Sequence, residues 1–187
     1  MIRVGHAINH IVYYKIDKIV TLNEIMGNIL KNRFKREVYI IYGVVDLKRF
    51  RPMSKDRAFK ALPKFFSNIL MNKFVVLYAG IMGPFQNPLI MVDLAKRIQK
   101  NENIVFVIFG TGPLKTRLEE EVRKNSLHNI VIFNTRPHEE MPYIYNIADL
   151  TLIPPPTVGI FALPKKFIEY AACGKPILFM TNKCIAS

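Results

Sequence analysis

The sequence predicts a doubly wound, Rossmann-like α/β domain built on a parallel sheet, and three observations carry that expectation. From residue 73 onward, short apolar runs alternate with helical patterns, the order a parallel sheet needs because each crossover takes a helix. The runs are continuously apolar instead of alternating, so the sheet is expected to be covered on both faces. Glycines sit at the strand-to-helix junctions, where open sheets of this kind bind ligands outside the carboxyl ends of their strands.

Residues 74–79 (Phe-Val-Val-Leu-Tyr-Ala) read as the first strand of this sheet. A helix over 87–100 follows, its apolar positions Leu89, Ile90, Val92, Leu94, Ala95 and Ile98 forming a broad buried face. Residues 104–109 are a second strand, followed by a helix carrying Leu114, Leu118 and Val122. Residues 129–133 are a third strand, with a helix over 139–147; residues 150–153 are a fourth. A proline-rich loop, a helix over 165–173 and a last strand at 176–180 complete the series.

The first 70 residues are less regular. They read as a helix in the first dozen residues, a strand at 18–21, a helix at 23–31 and a strand at 37–42. Arg51-Pro52 then opens a basic, weakly patterned stretch to Lys64 that reads as a linker. The expected division is residues 1–72 and residues 73–187.

Composition narrows the function classes. A chain of 187 residues with 50% hydrophobic content can bury roughly 70% of its unfolded surface, so one main domain is expected. The two cysteines, Cys173 and Cys184, show no CxxC spacing, which fits a reduced, cytoplasmic setting. The N-terminus lacks a signal-peptide pattern, and the most apolar stretch, 148–164, is broken by Asp149 and Pro154-Pro155-Pro156 and does not read as a membrane span. The net charge of +13 is concentrated early: residues 1–75 hold 15 Lys/Arg against 5 Asp/Glu, the rest 12 against 9. Such a surface attracts polyanions. Nucleic acid is the weakest of these readings, since no zinc-finger spacing, RNP-like aromatic strand or helix-turn-helix accompanies the charge. His6 and His10 have i, i+4 spacing but no third ligand in sight, and Cys173 reads as a small packing residue.

Three loops follow strands. Gly80-Ile81-Met82-Gly83-Pro84-Phe85-Gln86 leads into a helix whose first amides suit a phosphate. Gly110-Thr111-Gly112-Pro113 is neither a P-loop nor a complete Gly-x-Gly-x-x-Gly fingerprint, which weakens ATP and NAD readings. The segment from Pro154 through Gly159 into Pro164-Lys165-Lys166-Phe167-Ile168-Glu169-Tyr170 places backbone amides and a helix start where a diphosphate could lie, with Glu169 able to accept from a ribose diol. A lone Glu on a helix is otherwise a solvated residue.

The whole series, taken in order, resembles the family 4 glycosyltransferases, which use the GT-B fold. The matching pieces are Tyr78-Ala79-Gly80 with Gly83, Phe109-Gly110-Thr111-Gly112-Pro113, Leu118-Glu119, Asn129-Ile130-Val131-Ile132-Phe133, Glu140-Met141-Pro142, Ala148-Asp149-Leu150, and Leu163-Pro164-Lys165-Lys166-Phe167-Ile168-Glu169-Tyr170 through Gly174-Lys175-Pro176. Upstream, residues 17–24 and 45–52 look like the end of that family's N-terminal lobe and its interlobe junction. The resemblance implies a C-terminal donor lobe that binds a nucleoside diphosphate-sugar. Glu169 matches the ribose-binding Glu, the Gly159 loop the donor-phosphate region, and Gly110 to Pro113 with Thr135-Arg136-Pro137 the loops lining the nucleoside.

The donor-binding residues expected on that basis are Gly80, Gly83, Gln86, Gly110, Gly112, Arg136, Gly159, Ile160, Phe161, Lys165, Lys166 and Glu169. No catalytic residue is assigned. The chain also departs from the family: Phe161 stands where many members carry a Glu, and Ile81 and Gln86 replace the Arg and Lys that often neutralise the diphosphate, leaving Lys165 or Lys166 to supply that charge. No Asp-x-Asp metal motif is present, which agrees with metal-independent transfer and no cofactor beyond the donor substrate.

On this resemblance, these residues are expected to hold only the end of the acceptor lobe. The expected function is therefore sugar transfer to a lipid-linked or glycan acceptor with a separate acceptor-lobe subunit. The alternative is a truncated, non-catalytic nucleotide-binding fragment. The basic residues Lys31, Arg33, Lys35, Arg36, Lys48, Arg49 and Arg51 would face that partner or the anionic inner surface of a membrane, or serve solubility alone.

Overall fold

The structure, a computed structural model, describes residues 12, 15–155 and 164–180. Residues 1–11 of the helix expected in the first dozen lie outside the described residues, as do His6, His10 and Cys184. Two compact units divide between Val44 and Val45.

The first unit holds two parallel strands, β1 (Lys18–Thr21) and β2 (Glu37–Ile40), joined through helix α1 (Glu24–Phe34) with Ile19 opposite Val38. Asn23 caps α1 by accepting the Met26 N–H at 2.8 Å, and Lys35 ends it in the left-handed region, φ 53°. Its core is small: Ile19, Leu30 and Phe34. Val20, Leu22, Ile25, Ile29, Tyr39 and Ile40 remain exposed.

The second unit is the doubly wound domain. Its strands are β3 (Phe74–Ala79), β4 (Ile104–Phe109), β5 (Ile130–Phe133), β6 (Leu150–Ile153) and β7 (Ile177–Phe179). All pair in parallel in the order β5-β4-β3-β6-β7, so the winding reverses between β3 and β6. The two-residue period of β3 splits its side chains cleanly. Val75, Leu77 and Ala79 join the core on one face, while Val76 and Tyr78 join that on the other, so the expected two-sided coverage is present. Helices α4 (Ile90–Arg97), α5 (Lys115–Lys124), α6 (Met141–Asn146) and α7 (Lys165–Ala172) follow β3 to β6 in turn. Helix α4 starts later than the pattern predicts because Asn87 takes φ 42° and Pro88 follows it.

The linker reading of residues 51–64 is corrected. This stretch folds into helix α2 (Lys55–Lys60), capped by Ser54, and opens helix α3 (Lys64–Leu70). Ala58, Phe59, Leu62, Phe66 and Leu70 are buried against the sheet. Their spacing is helical, but Lys55 and Arg57 precede them, Lys60 and Lys64 interleave with them and Pro63 breaks the run, so the charge hides the period.

A polar clasp holds the amino end of the sheet. Asp149 Oδ2 accepts from Lys55 Nζ at 2.6 Å and from the Val75 N–H at 2.7 Å. Lys175 Nζ donates to the carbonyls of Asn146 and Ala148 at 2.9 and 3.0 Å, covering the otherwise open end of α6. The Ala148-Asp149-Leu150 and Gly174-Lys175-Pro176 matches thus have structural duties. Among the described residues, no helix is long and apolar enough to cross a membrane.

Candidate functional site

At the carboxyl ends of β3 and β4, beside the reversal of winding, lies a cleft of about 450 Å³. Its floor is the pair of loops that follow those strands. They are laced by backbone bonds: Gly80 N–H to the Phe109 carbonyl at 2.8 Å, Met82 N–H to that of Thr111 at 2.8 Å, and Leu114 N–H to that of Met82 at 2.9 Å. A Cβ on Gly110 would stand 1.8 Å from the Gly80 carbonyl oxygen, and one on Gly112 would stand 2.5 Å from that of Met82. These two glycines are therefore accounted for by the close approach of two loops, in addition to any role toward a ligand.

Helix α7 forms one wall. Glu169 is 4% exposed, so the solvated-helix reading does not hold for it. The Tyr145 hydroxyl donates to its Oε2 at 2.9 Å, and Lys165 Nζ lies 3.5 Å from its Oε1. Burial, reinforced by Tyr170 and Glu169, pushes the Tyr145 phenol well up, so it keeps its proton and serves as the donor. A carboxylate has about four acceptor positions, so Glu169 retains capacity for further hydroxyls. Tyr170 fixes the helix from below: its hydroxyl accepts the Ala79 N–H at 3.1 Å, and its ring meets Tyr145 edge-on at 4.8 Å.

Lys166 reaches over the first loop, its Cε 2.9 Å from where a Gly80 Cβ would be. Burial lowers its pKa from the usual lysine value, with Lys165 adding to the shift and Glu169 opposing it. Opposite, Arg136 is held by Glu140 through a two-bond fork, Nε to Oε2 at 2.8 Å and an NH2 to Oε1 at 2.9 Å.

Of the expected donor-binding residues, the cleft brings together Gly80, Gly110, Arg136, Lys165, Lys166 and Glu169. Gly83, Gln86 and Gly112 are not in its lining; Gly83 and Gln86 form a turn of their own, with Gln86 N–H bonded to the Gly83 carbonyl at 3.2 Å. Gly159, Ile160 and Phe161 lie outside the described residues. Met141, from the matching piece Glu140-Met141-Pro142, also lines the cleft, as do Tyr145 and His138, which the motif reading does not name. A tyrosine inside an apolar helix pattern carries no mark of the carboxylate it will meet. Cys173 is buried and its thiol pushed up to about 11, chiefly by burial, so it is no nucleophile at neutral pH.

A parallel sheet whose winding reverses beside a cleft with a buried carboxylate and two lysines defines a ligand-binding lobe of the doubly wound class. The model of the family "Glycosyl transferases group 1" matches residues 60–186, and the chain belongs to that family. It is 26% identical over 168 residues to a chitobiosyldiphosphodolichol beta-mannosyltransferase of Candida albicans, covering 85% of this chain and 37% of that protein. It is 25% identical over 177 residues to a UDP-Gal:alpha-D-GlcNAc-diphosphoundecaprenol alpha-1,3-galactosyltransferase of Escherichia coli, covering 90% and 42%. The structure of Anabaena Alr3699/HepE in complex with UDP-glucose superposes with a TM-score of 0.72 at 14% identity, over 91% of this chain and 46% of that one. The chain thus spans less than half the length of these proteins, and its fold is that of one part of a GT-B enzyme.

Proposed function

We propose that this chain is the donor-binding lobe of a glycosyltransferase that takes its sugar from a nucleoside diphosphate-sugar. The observation that carries the reading is Glu169, buried in the cleft wall with one oxygen held by Tyr145 and acceptor capacity left for a ribose diol. Lys165 and Lys166, at the start of α7, would neutralise the diphosphate in place of the cations lacking at Ile81 and Gln86. Gly110, Arg136 and Thr135 would border the nucleoside. Transfer proceeds without a metal in this reading, and the donor is the only small molecule required. The relatives whose names include diphosphodolichol and diphosphoundecaprenol favour a lipid-linked acceptor. The acceptor lobe would come from polypeptide beyond these residues, with the exposed apolar side chains of β1, α1 and β2 as the surface awaiting it. The site of action is the cytoplasm, at the inner face of a membrane.

Calorimetric titration with UDP, GDP and ADP, with and without Mg²⁺, tests this. One nucleotide binds without metal, and Glu169→Ala weakens it by about 1–3 kcal/mol, the range for a lost charge-assisted hydrogen bond. A well-folded chain that binds none of the three sinks the donor-lobe reading. A pH series adds a second check. Bound diphosphate favours protonated Lys166, whose pKa in the free protein lies below the usual 10.5. Affinity is then full below that lowered pKa and falls as pH rises through it. The fall should vanish in Lys166→Met; its persistence there would assign the titration to another group.

A further inference from the structure

A second cleft, of about 300 Å³, lies across the 138–142 turn from the first: His138 and Met141 line one, Glu139, Pro142 and Tyr143 the other. Lys48, Arg49, Arg51 and Arg57 all line this second cleft, against the single carboxylate of Glu139. Arg49 donates to Glu139 at 3.0 Å, but Lys48, Arg51 and Arg57 make no ion pair among the described residues. Gathering unpaired cations in one concavity lowers stability by mutual repulsion, whereas charge that serves solubility is spread over a surface.

The cations stand on anchored backbone. Phe50 is 3% exposed, with its ring 5.9 Å from that of Tyr145. Met53 N–H donates to Asn146 Oδ1 at 3.0 Å, and Asn146 Nδ2 donates to the Arg51 carbonyl at 3.0 Å. Ser54 starts α2, so Arg57 projects from a capped helix. Side chains mounted on such backbone converge with less loss of entropy than those of a free loop. Three guanidinium forks suit a tetrahedral oxyanion that takes paired hydrogen bonds on several sides, as a phosphate does.

We propose that this cleft binds a phosphate group, as a phosphomonoester or a diphosphate, separately from the nucleotide cleft. The ligand displaces Glu139 from Arg49, and the 75% exposed Glu139 side chain turns to solvent without loss to the fold.

The test titrates the full chain with inorganic pyrophosphate, and in parallel floats it with phosphatidylcholine vesicles made with and without phosphatidylglycerol. Pyrophosphate binding that falls about tenfold or more in Arg51→Ala/Arg57→Ala, at an unchanged melting temperature, supports a soluble phosphate ligand. Flotation that needs phosphatidylglycerol and is lost in the same variant supports a lipid headgroup. Glu139→Gln removes the competing carboxylate and should tighten binding about threefold, an effect no loss of folding could imitate. Lys165→Ala/Lys166→Ala, which removes the cations proposed to hold a diphosphate in the nucleotide cleft, should leave the Arg51- and Arg57-dependent part of both readouts in place, which separates this site from the nucleotide cleft. If neither pyrophosphate nor phosphatidylglycerol distinguishes the parent from the double variant, or if Glu139→Gln weakens binding, the proposal is overturned.

Discussion

Phe66→Ala should lower stability by about 3–5 kcal/mol, the usual cost of emptying an aromatic from a packed core. Phe66 is 1% exposed, and its ring lies 4.0, 5.0 and 5.6 Å from those of Phe65, Phe133 and Phe109. Two of those neighbours belong to β5 and β4, so the cavity would open between α3 and the sheet, where rigid strands cannot collapse to fill it. Urea denaturation of the parent and the variant measures the difference. Phe65, which is 43% exposed, is the internal comparison, and Phe65→Ala should cost about 1 kcal/mol. A Phe66→Ala cost below about 0.5 kcal/mol, typical of a surface change, would restore the linker reading of this region.

Gly110→Ala should cost about 3 kcal/mol or prevent folding, the upper end of overpacking effects. The added carbon would meet the Gly80 carbonyl oxygen at 1.8 Å, and that oxygen belongs to backbone with no rotamer to change. Relief requires the loops after β3 and β4 to part, which breaks the bonds from Gly80 to Phe109, from Met82 to Thr111 and from Leu114 to Met82. The same loops floor the cleft, so a folded variant should also lose nucleotide affinity. Gly83→Ala is the contrast. Its new carbon meets the end of the Gln86 side chain at 3.0 Å, which can swing away, and Ile81 Cγ2 at 3.4 Å, an ordinary contact. Thermal melting of both variants decides, and equal melting temperatures would show that the loops part freely.

The parallel sheet, its four crossover helices and the candidate carboxylate were legible before the structure because each leaves a local mark. Residues 104–109 are apolar without interruption, and Lys165-Lys166-Phe167-Ile168-Glu169 follows a proline with helical periodicity. Helices α2 and α3 left a weaker mark, since Lys60, Lys64 and Pro63 interrupt the spacing of Phe59, Leu62, Phe66 and Leu70. Tyr145 left none. Its role depends on a carboxylate 24 residues away, reached only when α6 and α7 pack on the same face of the sheet.

By itself, then, the sequence determined the strands, the helices that cross between them, the two-sided burial of the sheet and the glycines at its carboxyl end, since these follow from hydrophobic period and turn chemistry within windows of about ten residues. Only the tertiary structure decided that Glu169 is buried and held by Tyr145, that Gly110 is required by the Gly80 carbonyl, and that Lys48, Arg49, Arg51 and Arg57 share one cleft. Those outcomes depend on groups brought together across the sheet, and a charged or polar side chain carries no local record of the partner it will meet.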